Sequence, residues 1–374
     1  MDSILNEISL LRSGIPIKID YINSNRYRLV TQENDGSKTA YYFSVPIYND
    51  KTKKLLDLQF KEKSNKTYYT GSNANIVFDN NVLIESDGCI CDIKLGSKIS
   101  MINTSYLLCG QNHIYPTTNG FVYKVNCSKE KKFSFEVDIS PQFASIRSNN
   151  KYISILNEKN KSLITISCIG ATDANNKIIS PVEIEYKAIS NTKLFITIFT
   201  HSPFAIWCLL EINAYEQKFI QDTTVESKNS QSNNAFGGIA FLGNTQSFGE
   251  QWLYSRPDFS KMPELIDVNI NKVLLHLPQY NNTNTKLEAH QIATRFCSFG
   301  SKWINKIPPI GNSSVDSYIT AKHQTFDITN MITDKFKRLK TFDGIIIKSK
   351  DNGCVVVSTG DNYYLPQIYE INFK

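Results

Sequence analysis

The chain has 374 residues, 41% of them hydrophobic and 11% aromatic, which excludes a disordered polypeptide and allows two or three globular domains. Its 41 basic and 35 acidic residues give a net charge of +6, but the basic residues are scattered, which argues against nucleic acid as a partner. Eight cysteines are too few for a disulfide scaffold in a chain of this length, and we expect them to be reduced thiols.

The N-terminal residues predict a short helix rather than a leader peptide. Apolar residues in positions 1–11 have a helical spacing, and Gly14 and Pro16 follow them. Asp2 and Glu7 interrupt this segment, so it contains no apolar run of signal-peptide length. No later stretch is long and apolar enough to span a bilayer, so we expect neither export by a leader peptide nor membrane insertion.

From Ile17 onward the spacing of apolar residues changes to two, which is typical of β-strands. Residues 33–37 have the composition of a hairpin turn, and further short segments rich in Ile, Val, Phe, Tyr and Thr follow. Asn, Asp, Gly and Ser separate these segments, which indicates antiparallel sheets rather than alternating strands and helices. The pattern predicts a mainly β fold with two or three antiparallel β-sandwich (jelly-roll-like) domains and few short helices.

Three regions are predicted along the chain. Residues 1–70 form an N-terminal helix and β-hairpin region, residues 71–235 form a β-sandwich, and residues 236–374 form a second β-sandwich. The first sandwich is predicted to end in a polar linker at residues 221–234, because this stretch is dense in Ser, Asn and Gln and has almost no apolar residues.

The last region contains one predicted helix among strands. Val273–Pro278 is predicted as a strand, and Val355–Val357 is predicted to form a hairpin with the final strand. Residues 329–339 have apolar side chains on a common helical face. Asp327 and Thr329 can accept hydrogen bonds from the unpaired first amides of that helix, so we expect them to have a structural role.

Four segments of residues 237–374 follow an order that resembles the DNRLRE family. They are Ser301–Pro308 with its central Trp303, Phe326–Thr329, Gly344–Lys348 and Leu365–Phe373. The family is a β-sandwich module attached to bacterial surface, carbohydrate-active and phage-related proteins. The resemblance implies a non-catalytic sandwich that serves as a spacer or as a glycan-binding attachment.

A cluster of soft ligands is the first candidate site. Cys89, Cys91, Cys109 and His113 lie close together in the sequence and could bind a tetrahedral zinc ion. The C-x-C spacing is less typical of structural zinc than C-x-x-C, and buried free thiols with a surface histidine are the alternative. We therefore predict no metal and no cofactor.

Paired carboxylates are the second candidate, because hydrolysis of a glycan needs two of them facing a cleft. Glu136 with Asp138, and Glu183 with Glu185, each share one face of a predicted strand. Strand neighbours of this kind are common in β proteins, and the five histidines have no nucleophile elbow near them. We predict no catalytic residue and no enzymatic activity.

An aromatic strand is the third candidate. Within Gly249–Arg256, the side chains of Trp252, Tyr254 and Arg256 fall on one face of a strand, with Glu250 beside them. Aromatic rings with polar neighbours are the usual way to hold a sugar, which makes these four residues a candidate glycan face. The alternative is that Trp252 and Tyr254 belong to the core face of the strand.

Together these patterns predict a non-catalytic structural or receptor-binding protein. We expect a phage tail or tail-like particle component, made in a bacterial cytoplasm without a signal peptide and working in the virion or in an extracellular particle. Its expected partners are cell-envelope polysaccharide or neighbouring protein subunits, in a homo-oligomer or larger assembly. The alternatives are a glycan hydrolase with a C-terminal attachment module and a purely architectural subunit.

Overall fold

The predicted strands dominate the structure. The computed structural model describes residues 4–49, 52, 54–64, 66–215, 219–258, 262, 265, 268–311, 313–332, 342–351 and 353–374. The fold is mainly β with several antiparallel sheets, which confirms the predicted fold class.

Short strands follow one another along the whole chain, with helical elements near its start and in its last quarter. Up to residue 101 the elements are α1 (Ile4–Leu11), β1 (Arg28–Gln32), β2 (Lys38–Phe43), β3 (Tyr48–Asn49), β4 (Lys54–Leu55), β5 (Lys61–Lys63), β6 (Lys66–Thr70), β7 (Ala74–Phe78), β8 (Val82–Ser86), β9 (Cys89–Lys94) and β10 (Ile99–Met101). Up to residue 226 they are β11 (Leu107–Cys109), β12 (Asn112–Pro116), β13 (Gly120–Asn126), β14 (Lys132–Ser140), β15 (Ser145–Ser148), β16 (Tyr152–Leu156), β17 (Ser162–Thr172), β18 (Ile178–Ser180), β19 (Glu183–Ala188), β20 (Lys193–Phe199), β21 (Trp207–Ala214) and β22 (Ile220–Glu226). The remaining elements are β23 (Ile239–Thr245), β24 (Gly249–Pro257), β25 (Ile270–Pro278), β26 (Leu287–Gln291), a 3₁₀ turn (Trp303–Asn305), β27 (Val315–Asp316), β28 (Tyr318–Thr320), β29 (His323–Asp327), β30 (Ile345–Ser349), β31 (Val355–Ser358) and β32 (Ile368–Phe373).

The chain divides into two compact units that are interleaved along the sequence. Unit 1 comprises Tyr48–Gln217 and Phe236–Gly238. Unit 2 comprises Asp2–Ile47, Lys218–Ala235 and Ile239–Lys374. The N-terminal hairpin therefore belongs to the same unit as the C-terminal third of the chain, which differs from the predicted boundary at residue 70.

Unit 1 has two large sheets that contribute side chains to one core. One sheet has the order β19-β20-β14-β9-β8-β7-β6-β5, and the other has the order β10-β11-β12-β13-β21-β17-β16-β15, with β18 beside β17. Inward and outward side chains alternate along β9, where Cys89, Cys91 and Ile93 are buried and Ile90 is exposed. Each buried Ile or Leu side chain contributes about 1.5–3 kcal/mol relative to exposure, so this alternation stabilises the layered arrangement.

Unit 2 also has two sheets around one core. The first has the order β1-β2-β32-β25-β29-β28, and the second has the order β27-β26-β30-β24-β23-β31, with β22 beside β24. The hairpin predicted at residues 33–37 is confirmed, because β1 and β2 pair and the amide of Gly36 donates to the carbonyl of Glu33.

Helical residues are found within both predicted helices. Helix α1 (Ile4–Leu11) buries Ile8 and Leu11. A second helical segment starts at Thr329, and the carboxylate of Asp327 accepts hydrogen bonds from the Thr329 amide (3.2 Å) and hydroxyl (2.5 Å). This segment is described as far as residue 332, and the rest of the predicted helix lies outside the described residues.

Two local predictions about unit 2 need correction. Val355–Val357 does not form a hairpin with the final strand, because β31 pairs with β23 in one sheet while β32 lies between β2 and β25 in the other. The polar stretch at 221–234 includes strand β22, which is paired with β24 along its length. Two carboxylates of this stretch are buried, and hydrogen bonds offset the cost of removing them from water. Asp222 accepts from the amide of Gly360 (2.7 Å), and Glu226 accepts from the side chain of Gln251 (2.9 Å).

Helix α1 is attached to unit 2 by an ion pair as well as by apolar side chains. The guanidinium of Arg12, at the end of the helix, donates two hydrogen bonds to the carboxylate of Glu33, at 2.7 and 2.9 Å. Such two-point contacts between a guanidinium and a carboxylate are among the strong hydrogen-bonded pairs in proteins. The hydrogen bonds from Arg12 lower the pKa of Glu33 below its ordinary value.

We expect unit 2 to lose stability in acid. A hydrogen bond from Asn23, with a smaller contribution from Lys38, lowers the pKa of Asp20 from 3.8 to about 2, and the pKa of Glu33 is lowered from 4.5. Both groups bind protons less readily in the folded than in the unfolded chain, so their stabilisation is complete above the unfolded values and is lost as pH falls towards the folded values. Denaturant midpoints measured from pH 5 to 2 should fall, and the Asp20→Asn, Glu33→Gln double variant should show a flatter profile. An identical slope in both proteins would contradict this assignment.

Candidate functional site

The predicted glycan face on β24 is partly covered in the structure. Tyr254 is 0% exposed, and its hydroxyl donates to the carbonyl of Ile307 at 2.8 Å. Arg256 is 6% exposed, donates to the side chain of Gln221, and has its guanidinium carbon 6.0 Å from the ring centroid of Phe296. These two residues therefore hold the 292–310 segment and the neighbouring strand β22 against β24. The burial of Tyr254 agrees with the alternative interpretation, in which this residue belongs to the core face of the strand.

The other two predicted residues remain accessible on the same strand. Trp252 is half-buried and Glu250 is exposed. The indole nitrogen of Trp252 donates to the Glu250 carboxylate at 2.7 Å, which fixes the direction of the indole ring. A ring that is held in place loses little conformational entropy when it binds a ligand.

Trp303 lies against Trp252, with ring centroids 5.2 Å apart and planes at 60°. The 3₁₀ turn presents Trp303, and the side chain of Asn305 closes this turn by accepting from the amide of Lys302 (2.7 Å) and donating to the carbonyl of Gly300 (3.0 Å). In the sequence, Trp303 is part of the family resemblance and is also a candidate core or loop anchor, because an indole buries a large apolar area. Its partnership with Trp252 comes from a loop that folds back onto the sheet.

Two lysines border the tryptophan pair. The Lys306 ammonium is 4.1 Å from the ring centroid of Trp303 and 5.5 Å from that of Trp252, and the Lys348 ammonium is 5.8 Å from that of Trp252. Cations at these distances are attracted by the electron-rich ring faces. We call Glu250, Trp252, Trp303, Lys306 and Lys348 the tryptophan surface.

Lys348 also forms an ion pair with Glu288 on the neighbouring strand, at 3.0 Å. Burial opposes ionisation of Glu288, but hydrogen bonds from Lys348 and His290 outweigh it and lower the pKa of this carboxyl group. Lys348 is therefore held at the edge of the tryptophan surface by a charged partner.

A second aromatic group, which the sequence did not indicate, lies in unit 1. His113 stacks on Trp207 with ring centroids 5.2 Å apart, and the Lys124 ammonium is 4.6 Å from the Trp207 centroid. Tyr106 lies 5.5 Å from His113 and 5.9 Å from Tyr115, also between ring centroids. Burial, assisted by Lys124, lowers the pKa of His113, so its imidazole is neutral at neutral pH. One sequence feature could have indicated this group: His113 and Tyr115 are two residues apart, so both side chains lie on the same face of strand β12.

The residues considered as zinc ligands do not come together. Cys89, Cys91 and Cys109 are buried among the apolar residues of the unit 1 core, whereas His113 stacks on Trp207. Burial raises the pKa of Cys89 to about 11, which keeps it a neutral thiol. Among the described residues, no group of three or more His, Cys, Asp or Glu side chains could hold a metal ion.

Three of the four carboxylates considered for hydrolysis lie beside a basic side chain. Glu136 lies 2.8 Å from Lys193, and Asp138 lies 2.5 Å from Lys94. Glu183 lies 3.6 Å from the imidazole of His201.

No helix among the described residues is long and apolar enough to cross a membrane.

Comparison with known proteins gives no family for this chain. No family model matches the chain, and no curated protein matches it either. The resemblance of residues 237–374 to the DNRLRE family therefore stays a prediction that depends on the order of four segments.

Proposed function

We propose that the protein is a non-catalytic structural protein that binds cell-envelope polysaccharide through the tryptophan surface of unit 2. The observation that carries the proposal is the pair of half-buried indoles, Trp252 and Trp303, held in place on a sheet face and bordered by charged side chains. Fixed indoles with polar neighbours suit the C–H faces and hydroxyl groups of sugar rings.

The charges favour an acidic polymer. Lys306 and Lys348 lie against the indole rings, and Glu250 already accepts the Trp252 indole hydrogen. An ammonium group beside a stacked sugar can form a charge-assisted hydrogen bond with a uronic acid carboxylate or a phosphodiester, whereas a neutral polymer offers it only hydroxyl groups, which are weaker acceptors. We infer that the ligand carries carboxylate or phosphate groups, which are common in bacterial envelopes.

The wider role that fits this surface is that of a receptor-binding component of a phage tail or tail-like particle. The support is the resemblance of residues 237–374 to a module attached to surface and phage-related proteins, together with a fold made of packed sheets. In such a particle the protein is an assembly subunit, so other sheet faces contact neighbouring subunits. The particle supplies many copies, and weak binding by each copy becomes strong binding overall.

Replacing Trp252 should weaken polysaccharide binding. Trp252→Ala removes one stacking face and leaves Trp303 without its neighbour, so we expect affinity for an acidic envelope polysaccharide to fall about 30-fold, or about 2 kcal/mol. An array of acidic and neutral envelope glycans identifies the polymer, and calorimetry on the intact chain measures the change.

Trp207→Ala provides a matched control, because it removes the same side chain from the other aromatic group. We expect this variant to keep wild-type affinity. Loss of binding in Trp207→Ala with normal binding in Trp252→Ala would move the site to unit 1. Failure of the intact chain to bind any envelope polymer would leave an architectural subunit as the better assignment.

A further inference from the structure

Two buried cysteines of unit 1 lie in contact with each other. The sulfur atoms of Cys127 and Cys208 are 3.3 Å apart, and both residues are 3% exposed. Cys208 lies on β21 and pairs with Val125 on the antiparallel strand β13. Cys127 directly follows β13, and its amide donates to the carbonyl of Ile206 at 2.8 Å. The backbone ladder therefore fixes the relative position of the two thiols.

We propose that Cys127 and Cys208 form a thiol–disulfide exchange site, at which a low-molecular-weight disulfide closes a reversible bond between β13 and β21. A disulfide bond is about 2.05 Å long, so the sulfur atoms need to approach by about 1.2 Å. Side-chain rotation can supply a movement of this size without breaking the ladder between the strands. The other buried cysteine on an adjacent strand, Cys168, has no sulfur contact of this kind among the described residues.

The two thiols are not equivalent, which assigns their roles in the exchange. The hydrogen bond from Cys208, assisted by the charge of Lys131, lowers the pKa of Cys127, whereas the same hydrogen bond and burial raise the pKa of Cys208. Lys131 is held nearby, since its ammonium donates to the carbonyl of Ala205 at 2.8 Å. Cys127 also borders the exposed residues 128–130, whereas Cys208 lies inside β21, so Cys127 is the attacking thiol and Cys208 the resolving thiol.

The exchange proceeds in two balanced steps. The Cys127 thiolate attacks one sulfur of the small disulfide, forms a mixed disulfide and releases one small thiolate, which takes up a proton. The Cys208 sulfur, after losing its proton, attacks the Cys127 sulfur and releases the second small thiol. The protein thus gives up two electrons and two protons, and the small disulfide is reduced to two thiols.

Access to the site comes from the turn that follows Cys127. Residues 128–130 are exposed, whereas Cys208 lies inside a strand. Opening of this turn would present Cys127 to a reagent while β13 and β21 stay paired. The closed bond would join residues 81 positions apart, so the oxidised unit 1 should resist unfolding better than the reduced form. A bond of this kind forms where small disulfides are abundant, outside the reducing cytoplasm.

The test uses the full chain in buffers of reduced and oxidised glutathione. After equilibration, free thiols are blocked by alkylation, and the digest is analysed by mass spectrometry without reduction. We expect a cross-linked pair of peptides containing Cys127 and Cys208, two hydrogens lighter than the sum of the free peptides. The cross-link should disappear on reduction, and the thermal midpoint of unit 1 should be higher in the oxidised protein.

Two variants distinguish this site from unspecific oxidation. Cys127→Ala should abolish the cross-link, and Cys168→Ala, which removes another buried thiol of unit 1, should retain it. A cross-link between Cys208 and Cys168 would overturn the proposal. So would a wild-type protein in which only the exposed Cys297 becomes modified. The wild-type measurement decides the question even if a variant fails to fold.

Discussion

Gly120→Ala should lower the free energy of unfolding of unit 1 by about 3 kcal/mol, because the added methyl group has no space. A Cβ atom at Gly120 would lie 2.0 Å from the carbonyl oxygen of Ile212 and 2.6 Å from the Cα of Asn213. Both atoms belong to the backbone of β21, which pairs with β13 at this position. Rotation of a side chain cannot relieve the overlap, so the two strands must move apart.

The loss in free energy of unfolding is measured by denaturant titration, with hydrogen exchange of unit 1 amides as the probe. Gly238→Ala is a matched control in the same unit, because the nearest atom to its added Cβ would be the Ser167 hydroxyl oxygen at 3.5 Å, an ordinary contact. We expect the control to change the stability by less than about 1 kcal/mol. Equal effects of the two substitutions would show that the close approach of β13 and β21 is not maintained in solution.

Glu226→Ala should destabilise unit 2 by a similar amount, about 3 kcal/mol. The buried carboxylate accepts hydrogen bonds from the side chains of Asn229 (2.8 Å), Gln251 (2.9 Å) and Asn234 (3.4 Å). Gln251 in turn accepts from the amide of Phe241 at 2.6 Å, which links the network to β23. Removing the acceptor takes this partner away from the buried side chains of Gln251 and Asn234, whereas Asn229 is exposed and can donate to water.

The matched control for this prediction is Glu250→Ala, which removes an exposed carboxylate from the neighbouring strand β24. We expect its effect on the free energy of unfolding to stay within about 0.5 kcal/mol. Glu226→Gln keeps an acceptor oxygen, so its loss in free energy of unfolding should lie between those of Glu226→Ala and Glu250→Ala. If all three variants unfold at the same denaturant concentration as the wild type, the buried network does not stabilise unit 2.

The local features of the fold could be predicted because neighbouring residues determine them. The helical spacing within residues 1–11 predicted α1, and the turn composition of residues 33–37 predicted the β1–β2 hairpin. Strand β22 was missed because most of its buried side chains (Asp222, Thr223, Thr224 and Glu226) are polar, so it has the composition of a linker. Its partners lie far away in sequence: Asp222 accepts from Gly360 across 138 positions.

The candidate site could also be predicted from sequence only where neighbouring residues determine it. Alternation correctly placed Trp252, Tyr254 and Arg256 on one face of β24, but it could not show that Ile307 and Phe296 cover two of them. The covering segment contains few periodic residues, so no local pattern indicates where it packs. For the same reason, the contact between Trp303 and Trp252 could not be predicted from sequence.

The interleaved arrangement of unit 2 has a consequence for the order of events on the ribosome. Strand β2 lies between β1 and β32, and the amide of Gln367 donates to the hydroxyl oxygen of Ser44 across 323 positions. The first hairpin therefore emerges long before its sheet partner is translated, while all of the long segment of unit 1 is synthesised in between. Nascent chains should carry an unpaired β2 edge for most of translation, and a chaperone that shields exposed strands would act on it during that interval.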